Sequence, residues 1–216
     1  MKWVQPKFDV AKLKSVIKEV DSYLSERDRI REEAIKLSRD VVRASGWAIT
    51  SLHKGDLESA LKHMENAERY AARLKSLLEP YPELLNSGFA NNAFSEYVEA
   101  KLFIDIVLGK GLSGPEDLNV GIVPYLQGIG DLVGELRRLC LDLVRHAEFE
   151  VAWRLLEIME AIYLELRSLD YPEALIPGVR HKADVARRLV DDTKALLADL
   201  ESRHRLESSI KKISGL

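Results

Sequence analysis

Several residue types that define common protein classes are scarce in this chain. It has one cysteine, Cys140, among 216 residues, so no disulfide can form within one molecule and we expect a reducing, cytoplasmic environment. No stretch approaches 18 uninterrupted apolar residues, and the N-terminal MKWVQPKFDV lacks the apolar core that a signal peptide needs. We therefore expect a soluble protein with no membrane partner.

Proline and glycine are also scarce, with 7 and 12 residues. Leu, Ala, Glu, Arg and Lys dominate instead, as is typical of a largely helical protein. The sequence contains no P-loop and no G-x-S-x-G, and its G-x-G-x-x-G spacing (GKGLSG, 109–114) follows a predicted helix instead of the strand that a dinucleotide-binding fingerprint requires. These absences exclude the NTPase, triad-hydrolase and dehydrogenase classes that such motifs mark.

Apolar residues at spacings of three and four predict an all-α fold, a single-domain bundle of six to seven helices spanning residues 1–216. The first helix opens with an a/d stripe, from which we expect a homo-oligomer: Val10, Leu13, Ile17, Val20 and Leu24. We predict helices over residues 9–54 (one long or two collinear), 56–79, 83–109, 122–146, 148–168 and 179–206, followed by a frayed tail at 207–216.

Two pairs of acidic residues lie on helices that are otherwise apolar. Glu96 and Glu99 are three residues apart in AFSEYVEAKLFIDIV, and Asp131 and Glu135 are four apart on the next long helix, so each pair shares a helix face. If these two helices pack antiparallel, the four carboxylates converge, and such a cluster needs a bound cation or raised pKa values. Oxygen-only ligation favours Mg²⁺, Mn²⁺ or Ca²⁺, and Mg²⁺ suits phosphodiester cleavage.

The spacing by itself leaves a simpler interpretation open, because E-x-x-E pairs are common on solvated helix faces. Apolar flanking residues favour a site, and so do Gly128, Gly130 and Gly134, which surround Asp131. Each glycine costs a helix up to ~1 kcal/mol relative to alanine, so we expect these glycines to permit close helix–helix approach. The five histidines form no Glu-x-x-His pair with these acids, which argues against a di-iron centre.

Basic residues lie apart from these carboxylates. Residues 81–177 carry 7 Lys and Arg against 16 Asp and Glu, whereas both flanking regions have net positive charge. Such surfaces attract polyanions, although helices often carry charge only for solubility. The candidate nucleic-acid-binding residues lie on the first and last helices: Lys36, Arg39, Arg43, Arg180, Lys182, Arg187 and Arg188.

Four sequence blocks carry a family resemblance: KLSRDVVRAS (36–45), SEYVEAKLF (95–103), PYLQGIGDLVGELRRLCLDLV (124–144) and GVRHKADVARRLVDDTKALL (178–197). In order and spacing they resemble the translin superfamily over nearly the whole chain, and most closely its TRAX (translin-associated factor X) branch. The compact length of the chain resembles that expected of a prokaryotic or archaeal member of the family. The resemblance implies a bundle of about seven helices whose subunits assemble into a hollow octamer.

The resemblance also implies an activity and its residues. TRAX-type subunits are metal-dependent endoribonucleases acting on single-stranded RNA, and the family's catalytic acids fall at Glu96, Glu99 and Asp131. Together with Glu135 these acids are the candidate ligands of Mg²⁺ or Mn²⁺. The chain departs from the family just before E-Y-V-E-A, where relatives carry aromatic, arginine and histidine residues that contact nucleic acid. Here YPELLNSGFANNAF has no basic residue, so we expect RNA contacts on the end helices.

Three functional hypotheses follow. The first is an Mg²⁺- or Mn²⁺-dependent endoribonuclease acting within a homo-oligomeric shell. The second is a non-catalytic translin-like assembly that binds single-stranded RNA or DNA, and the third is a helical scaffold with no nucleic-acid role. The complete set of carboxylates favours the first hypothesis, while the acidic middle of the chain keeps the other two open.

Overall fold

The computed structural model describes residues 8–214, and within them it contains seven α-helices and no strand. The predicted all-α class is therefore confirmed. Apolar side chains from six of the helices pack into one core, which includes the buried Cys140. The helices are α1 (Val10–His53), α2 (Leu57–Leu78), α3 (Pro82–Leu85), α4 (Gly88–Val107), α5 (Ile122–Arg145), α6 (Phe149–Ser168) and α7 (Val179–Ser214).

Local signals in the sequence set several of these helix ends. The first helix is one continuous helix, and Gly55 after it has φ +76°, a conformation that glycine adopts without strain. Asp56 then caps α2, because its carboxylate accepts a 3.0 Å hydrogen bond from the backbone N–H of Ser59. Pro82 starts α3, where its missing N–H costs nothing.

Two predicted helix boundaries are wrong. The helix predicted over 83–109 is divided into α3 and α4, because the Asn86 amide donates to the carbonyl of Pro82 and the Ser87 hydroxyl donates to that of Leu84. Such side-chain hydrogen bonds compete with helix continuation. The last helix continues past residue 206 to Ser214, since ESSIKKIS contains no glycine or proline. Residues 215–216 of the predicted tail lie outside the described residues.

The helices pack in the order α2, α1, α4, α5, with α6 and α7 both against α5. Helix α5 begins beside Asn91 and Phe94 of α4, and further along Glu135 of α5 and Phe103 of α4 both contact His53. Helices α4 and α5 therefore run in the same direction, and the antiparallel packing considered in the sequence analysis does not occur. The reason is the connection 108–121, which is long enough to return along α4 before α5 begins.

Glycines bring the helices together at two points. A Cβ atom at Gly128 would lie 2.5 Å from the Ser95 carbonyl oxygen, and one at Gly130 would lie 2.8 Å from the Cβ of Lys182. The expected close approach is confirmed at these two positions, for α5 on α4 and for α7 on α5. At Gly134 nothing lies within 4 Å, so the same expectation is wrong there.

The first half of α1 extends beyond the core. Its first buried residue is Ile30, and the predicted a/d stripe from Val10 to Leu24 is exposed. No helix within residues 8–214 combines the length and the apolar character needed to cross a membrane.

The glycines allow a matched stability test. We expect Gly128→Ala to lower the free energy of unfolding by about 1–3 kcal/mol, because the added methyl group meets the backbone of α4. Gly134→Ala has open space and should instead raise it by up to ~1 kcal/mol through helix propensity. Urea denaturation followed by circular dichroism measures both values. Equal effects of the two substitutions would contradict the assigned close approach.

Candidate functional site

The four predicted acids lie together on the facing surfaces of α4 and α5. Glu96 and Glu99 come from α4, and Asp131 and Glu135 come from α5, which approaches closely at Gly128. We refer to these four residues as the acidic cluster. All are half-buried, and each of the two α4 carboxyl groups feels the charge of both α5 acids. Helices running in the same direction thus place the four acids at one interface, close enough for their charges to act on one another.

Burial and mutual repulsion perturb the two α4 acids. Burial first, then the charge of Asp131, then the charges of the other two acids raise the pKa of Glu99 to about 8. The pKa of Glu96 is also raised, by burial and then by Asp131. The charge of Lys182 opposes both shifts. Glu99 therefore keeps its proton at neutral pH when no further cation is present.

The two α5 acids are each held by a partner from another helix. The Lys182 ammonium on α7 lies 2.5 Å from Oδ1 of Asp131, with both side chains about one-third exposed (32% and 34%). Nε2 of His53 lies 2.6 Å from Oε2 of Glu135. A weaker ion pair, at 3.9 Å, links Arg138 to the same carboxylate. Asp131 and Glu135 thus each have a partner outside the cluster.

His53 is a site residue that the sequence analysis missed. It ends α1, its side chain is 2% exposed, and its ring lies 4.9 Å from the ring of Phe103. Its Nδ1 is buried and has no hydrogen-bond partner within residues 8–214, so Glu135 provides its hydrogen bond on the opposite side of the ring. Since 82 positions separate the two residues, no spacing in the sequence could have linked them.

The donor chemistry of the cluster suits a hard divalent cation. It offers carboxylate oxygens alone, which Mg²⁺ and Mn²⁺ prefer, and a cation would relieve the repulsion that raises the pKa of Glu99. Among residues 8–214, however, no three His, Cys, Asp or Glu side chains already converge as a ligand set. Asp131 and Glu135 are instead directed to Lys182 and His53, so cation binding requires at least Asp131 to change its partner.

The seven predicted basic residues do not form one surface. Lys182 alone contacts the acidic cluster, while Arg39 and Arg43 lie on α1, beyond α4. The other four are exposed on their helices: Lys36, Arg180, Arg187 and Arg188.

Arg39 and Arg43 line a groove between α1 and α4, which we call the α1–α4 groove. Its volume is about 540 Å³, and its lining includes Arg31, Phe89 and Asn92, which the sequence analysis did not select. The segment before E-Y-V-E-A has no basic residue of its own, and the packing supplies arginines to it from α1. Neither residue spacing nor the composition of that segment indicates this.

The α1–α4 groove leads toward the acidic cluster. Phe89, Asn92, Glu96 and Glu99 follow spacings of three and four, so they share one face of α4. Val42 lines the groove with Asn92, and His53 contacts Phe103, so residues 42–53 of α1 run beside residues 92–103 of α4. The basic and aromatic side chains of the groove therefore precede Glu96 and Glu99 along α4.

Comparisons with known proteins agree with the fold. The model of the translin family matches residues 29–201. An uncharacterized protein of Methanocaldococcus jannaschii is 26% identical over 193 residues, covering 89% of this chain and 86% of its own length.

Solved structures are similar as well. The crystal structure of AfC3PO is 32% identical, with a TM-score of 0.80, and covers 87% of this chain and 97% of that one. The structure of AfC3PO in complex with duplex RNA has the same identity and coverage, with a TM-score of 0.76. Apo-NeC3PO, 22% identical over 85% of this chain and 96% of its own, has a TM-score of 0.77 and shows the same fold.

The raised pKa of Glu99 predicts a pH-dependent effect of Glu99→Gln in protein kept with a chelator. An unfolded glutamic acid ionises near pH 4.5, whereas folded Glu99 does so near pH 8. Between these values the folded protein holds a proton that the unfolded chain has lost, so the free energy of unfolding falls as pH rises. Glu99→Gln removes the titrating group and with it this decrease in the free energy of unfolding.

We therefore expect Glu99→Gln to be more stabilising, relative to the wild type, at pH 8.5 than at pH 5, as measured by urea denaturation. Glu65→Gln, at an exposed position on α2, is the control and should show the same difference at both pH values. An equal response of Glu99→Gln at the two pH values would contradict the raised pKa.

Proposed function

Because the chain belongs to the translin family, we propose that it is a metal-dependent endoribonuclease that cleaves single-stranded RNA at the acidic cluster. The observation that carries the proposal is the cluster itself. Four carboxylates at the positions of the family's motif lie at one half-buried interface, where their charges act on one another, and the pKa of one is raised to about 8. Burying like charges together is unfavourable, and a divalent cation would offset that cost.

Glu96, Glu99 and Asp131 are the catalytic acids in this proposal, and with Glu135 they are the residues that would hold Mg²⁺ or Mn²⁺. When bound, such an ion supplies an activated water and neutralises charge on the phosphate. Glu99 would give up its proton on binding the ion, since ligands must be deprotonated. His53 forms a hydrogen bond with Glu135 and would orient it, as residues outside the ligand set do for metal-binding carboxylates in other proteins.

RNA is the substrate that the α1–α4 groove supports. Arg31, Arg39 and Arg43 can neutralise phosphates, and the half-buried ring of Phe89 offers a surface for base stacking, the combination found in single-strand-binding grooves. The groove leads toward Glu96, so a bound strand would reach the acids. The 32% identical AfC3PO has been solved with duplex RNA, which supports RNA as the ligand and makes duplex RNA a necessary second substrate to test.

A second candidate function is the binding of single-stranded RNA or DNA without cleavage. The observation that favours it is that Lys182 and His53, rather than the other acids, are the partners of Asp131 and Glu135. The same groove would serve this function, and the cluster would then be a structural feature.

Incubation with labelled RNA distinguishes these functions. We expect the wild type to cleave single-stranded RNA with Mg²⁺ or Mn²⁺ and not with a chelator. Glu96→Gln/Glu99→Gln should lower the rate at least about a hundredfold, because it removes half of the acids. The control is Glu65→Gln/Glu68→Gln, which changes an E-x-x-E pair on the exposed face of α2 and should retain full activity.

Cleavage that persists with chelator or in the Glu96→Gln/Glu99→Gln variant would overturn the metal assignment. Binding of single-stranded RNA or DNA without cleavage would select the second function. Absence of both binding and cleavage would leave the helical scaffold as the remaining hypothesis. Cleavage of duplex RNA alone would correct the substrate class.

Self-association is also part of the proposal, with the octamer implied by the family resemblance as the expected assembly. The support is the exposed stripe on α1, where Val10 and Ile17 are 55% and 57% exposed and Leu24 is 56% exposed. At a rise of 1.5 Å per residue, this apolar face extends over roughly 22 Å of helix. An apolar face of this kind is typical of an interface.

Light scattering should therefore give a mass well above the 24.5 kDa of one chain. Ile17→Glu/Leu24→Glu should lower that mass, because it places charge in the apolar stripe. Ser15→Glu/Ser22→Glu has the same spacing on the polar face and is the matched control. A mass near 24.5 kDa for the wild type would contradict self-association.

A further inference from the structure

Lys182 occupies an unusual position for a lysine on the surface of a helix. Its ammonium is 2.5 Å from Asp131, and its charge also acts on Glu96 and Glu99. Within the described part of the chain, the other basic groups that contact the acidic cluster, His53 and Arg138, both contact Glu135. Lys182 is thus the counterion for the part of the cluster that holds the three catalytic acids.

The packing of α7 on α5 fixes this position. The absence of a side chain at Gly130 makes room for the stem of Lys182, whose Cβ would lie 2.8 Å from a Cβ there. The segment just before α7 is also held against α5, because the amide of Gln127 donates a 2.7 Å hydrogen bond to the carbonyl of Pro177. The packing of the backbone therefore places Lys182 beside Asp131, and this position does not depend on the ion pair.

The ion pair is open to exchange. Both side chains are about one-third exposed (32% and 34%), so water and solutes reach them, and exposed ion pairs of this kind are weak. A divalent cation that takes Asp131 as a ligand must displace Lys182. The displaced ammonium remains within reach of the site because its stem is fixed over Gly130, and a phosphate is the anion that RNA brings there.

We propose that Lys182 is an exchangeable counterion of the acidic cluster, which competes with a divalent cation for Asp131 and then binds a phosphate of the RNA. The inference rests on the proposed function and extends it. One side chain would keep the metal-free cluster neutralised and would later contact the substrate. Lys182 accordingly weakens cation binding and strengthens RNA binding.

The experiment uses Lys182→Met, which keeps the length of the stem and removes the charge. Lys194→Met is the control, because Lys194 lies on the same helix and pairs with Glu160 at 2.8 Å. Mn²⁺ alone is titrated by calorimetry at pH 8, where protons compete less for the carboxylates. We expect Lys182→Met to bind Mn²⁺ roughly three- to tenfold tighter than the wild type, and Lys194→Met to be unchanged.

RNA binding supplies the second measurement, by fluorescence anisotropy with Mn²⁺ at low temperature and with the RNA checked for integrity on a gel. Loss of one phosphate contact should weaken binding by Lys182→Met and reduce the slope of log affinity against log salt concentration by about 0.7. Lys194→Met should keep the wild-type slope. A purely structural role for Lys182 would not produce tighter cation binding together with a smaller salt slope.

Mn²⁺ binding that is unchanged or weaker in Lys182→Met would overturn the competition, and an unchanged salt slope would overturn the phosphate contact. Both failures are distinguishable from failure of the proposed function. A wild type that neither binds Mn²⁺ nor cleaves RNA overturns the proposed function. A wild type that does both, while Lys182→Met binds Mn²⁺ no tighter, overturns this inference alone.

Discussion

The contact between Gly128 and the backbone of Ser95 positions everything else in the site. It lets α5 lie directly against α4, so that Glu96 and Glu99 face Asp131 across the interface. An alanine there would force the two helices apart, and the mutual effect of the carboxylates falls with distance. The same device recurs at Gly130, which admits Lys182 from α7. Glycine at these two positions lowers helix propensity but allows neighbouring helices to approach closely.

Once the acids are close, electrostatics accounts for the remaining features of the site. Burial and like charge raise the pKa of Glu99 to about 8, while Lys182 pairs with Asp131 and His53 forms a hydrogen bond with Glu135. Added positive charge stabilises such a cluster, because a cation reduces the repulsion between the carboxylates. The arginines of the α1–α4 groove contribute no contact to the cluster, because they line a separate groove with residues 89 and 92 of α4.

Helical periodicity indicated most of the fold because each amphipathic face repeats every three to four residues, independently of what covers it. Boundaries failed where a side chain competed with the backbone, as at Asn86 and Ser87. The relative direction of α4 and α5 could not be predicted, for another reason. Periodicity carries no information on where a connection goes, and residues 108–121 can either turn at once or run back along α4.

The sequence by itself determined the helical class, the acidic residues and their pairing by face, since these depend on spacing along one helix. The tertiary structure alone decided which groups from other helices reach them. His53 and Lys182 are 82 and 51 residues from their partners, and the arginines of the groove lie on α1 rather than beside E-Y-V-E-A. Contacts between residues so far apart in sequence depend on the order and direction in which the helices pack. The periodicity of a single helix carries no information on either.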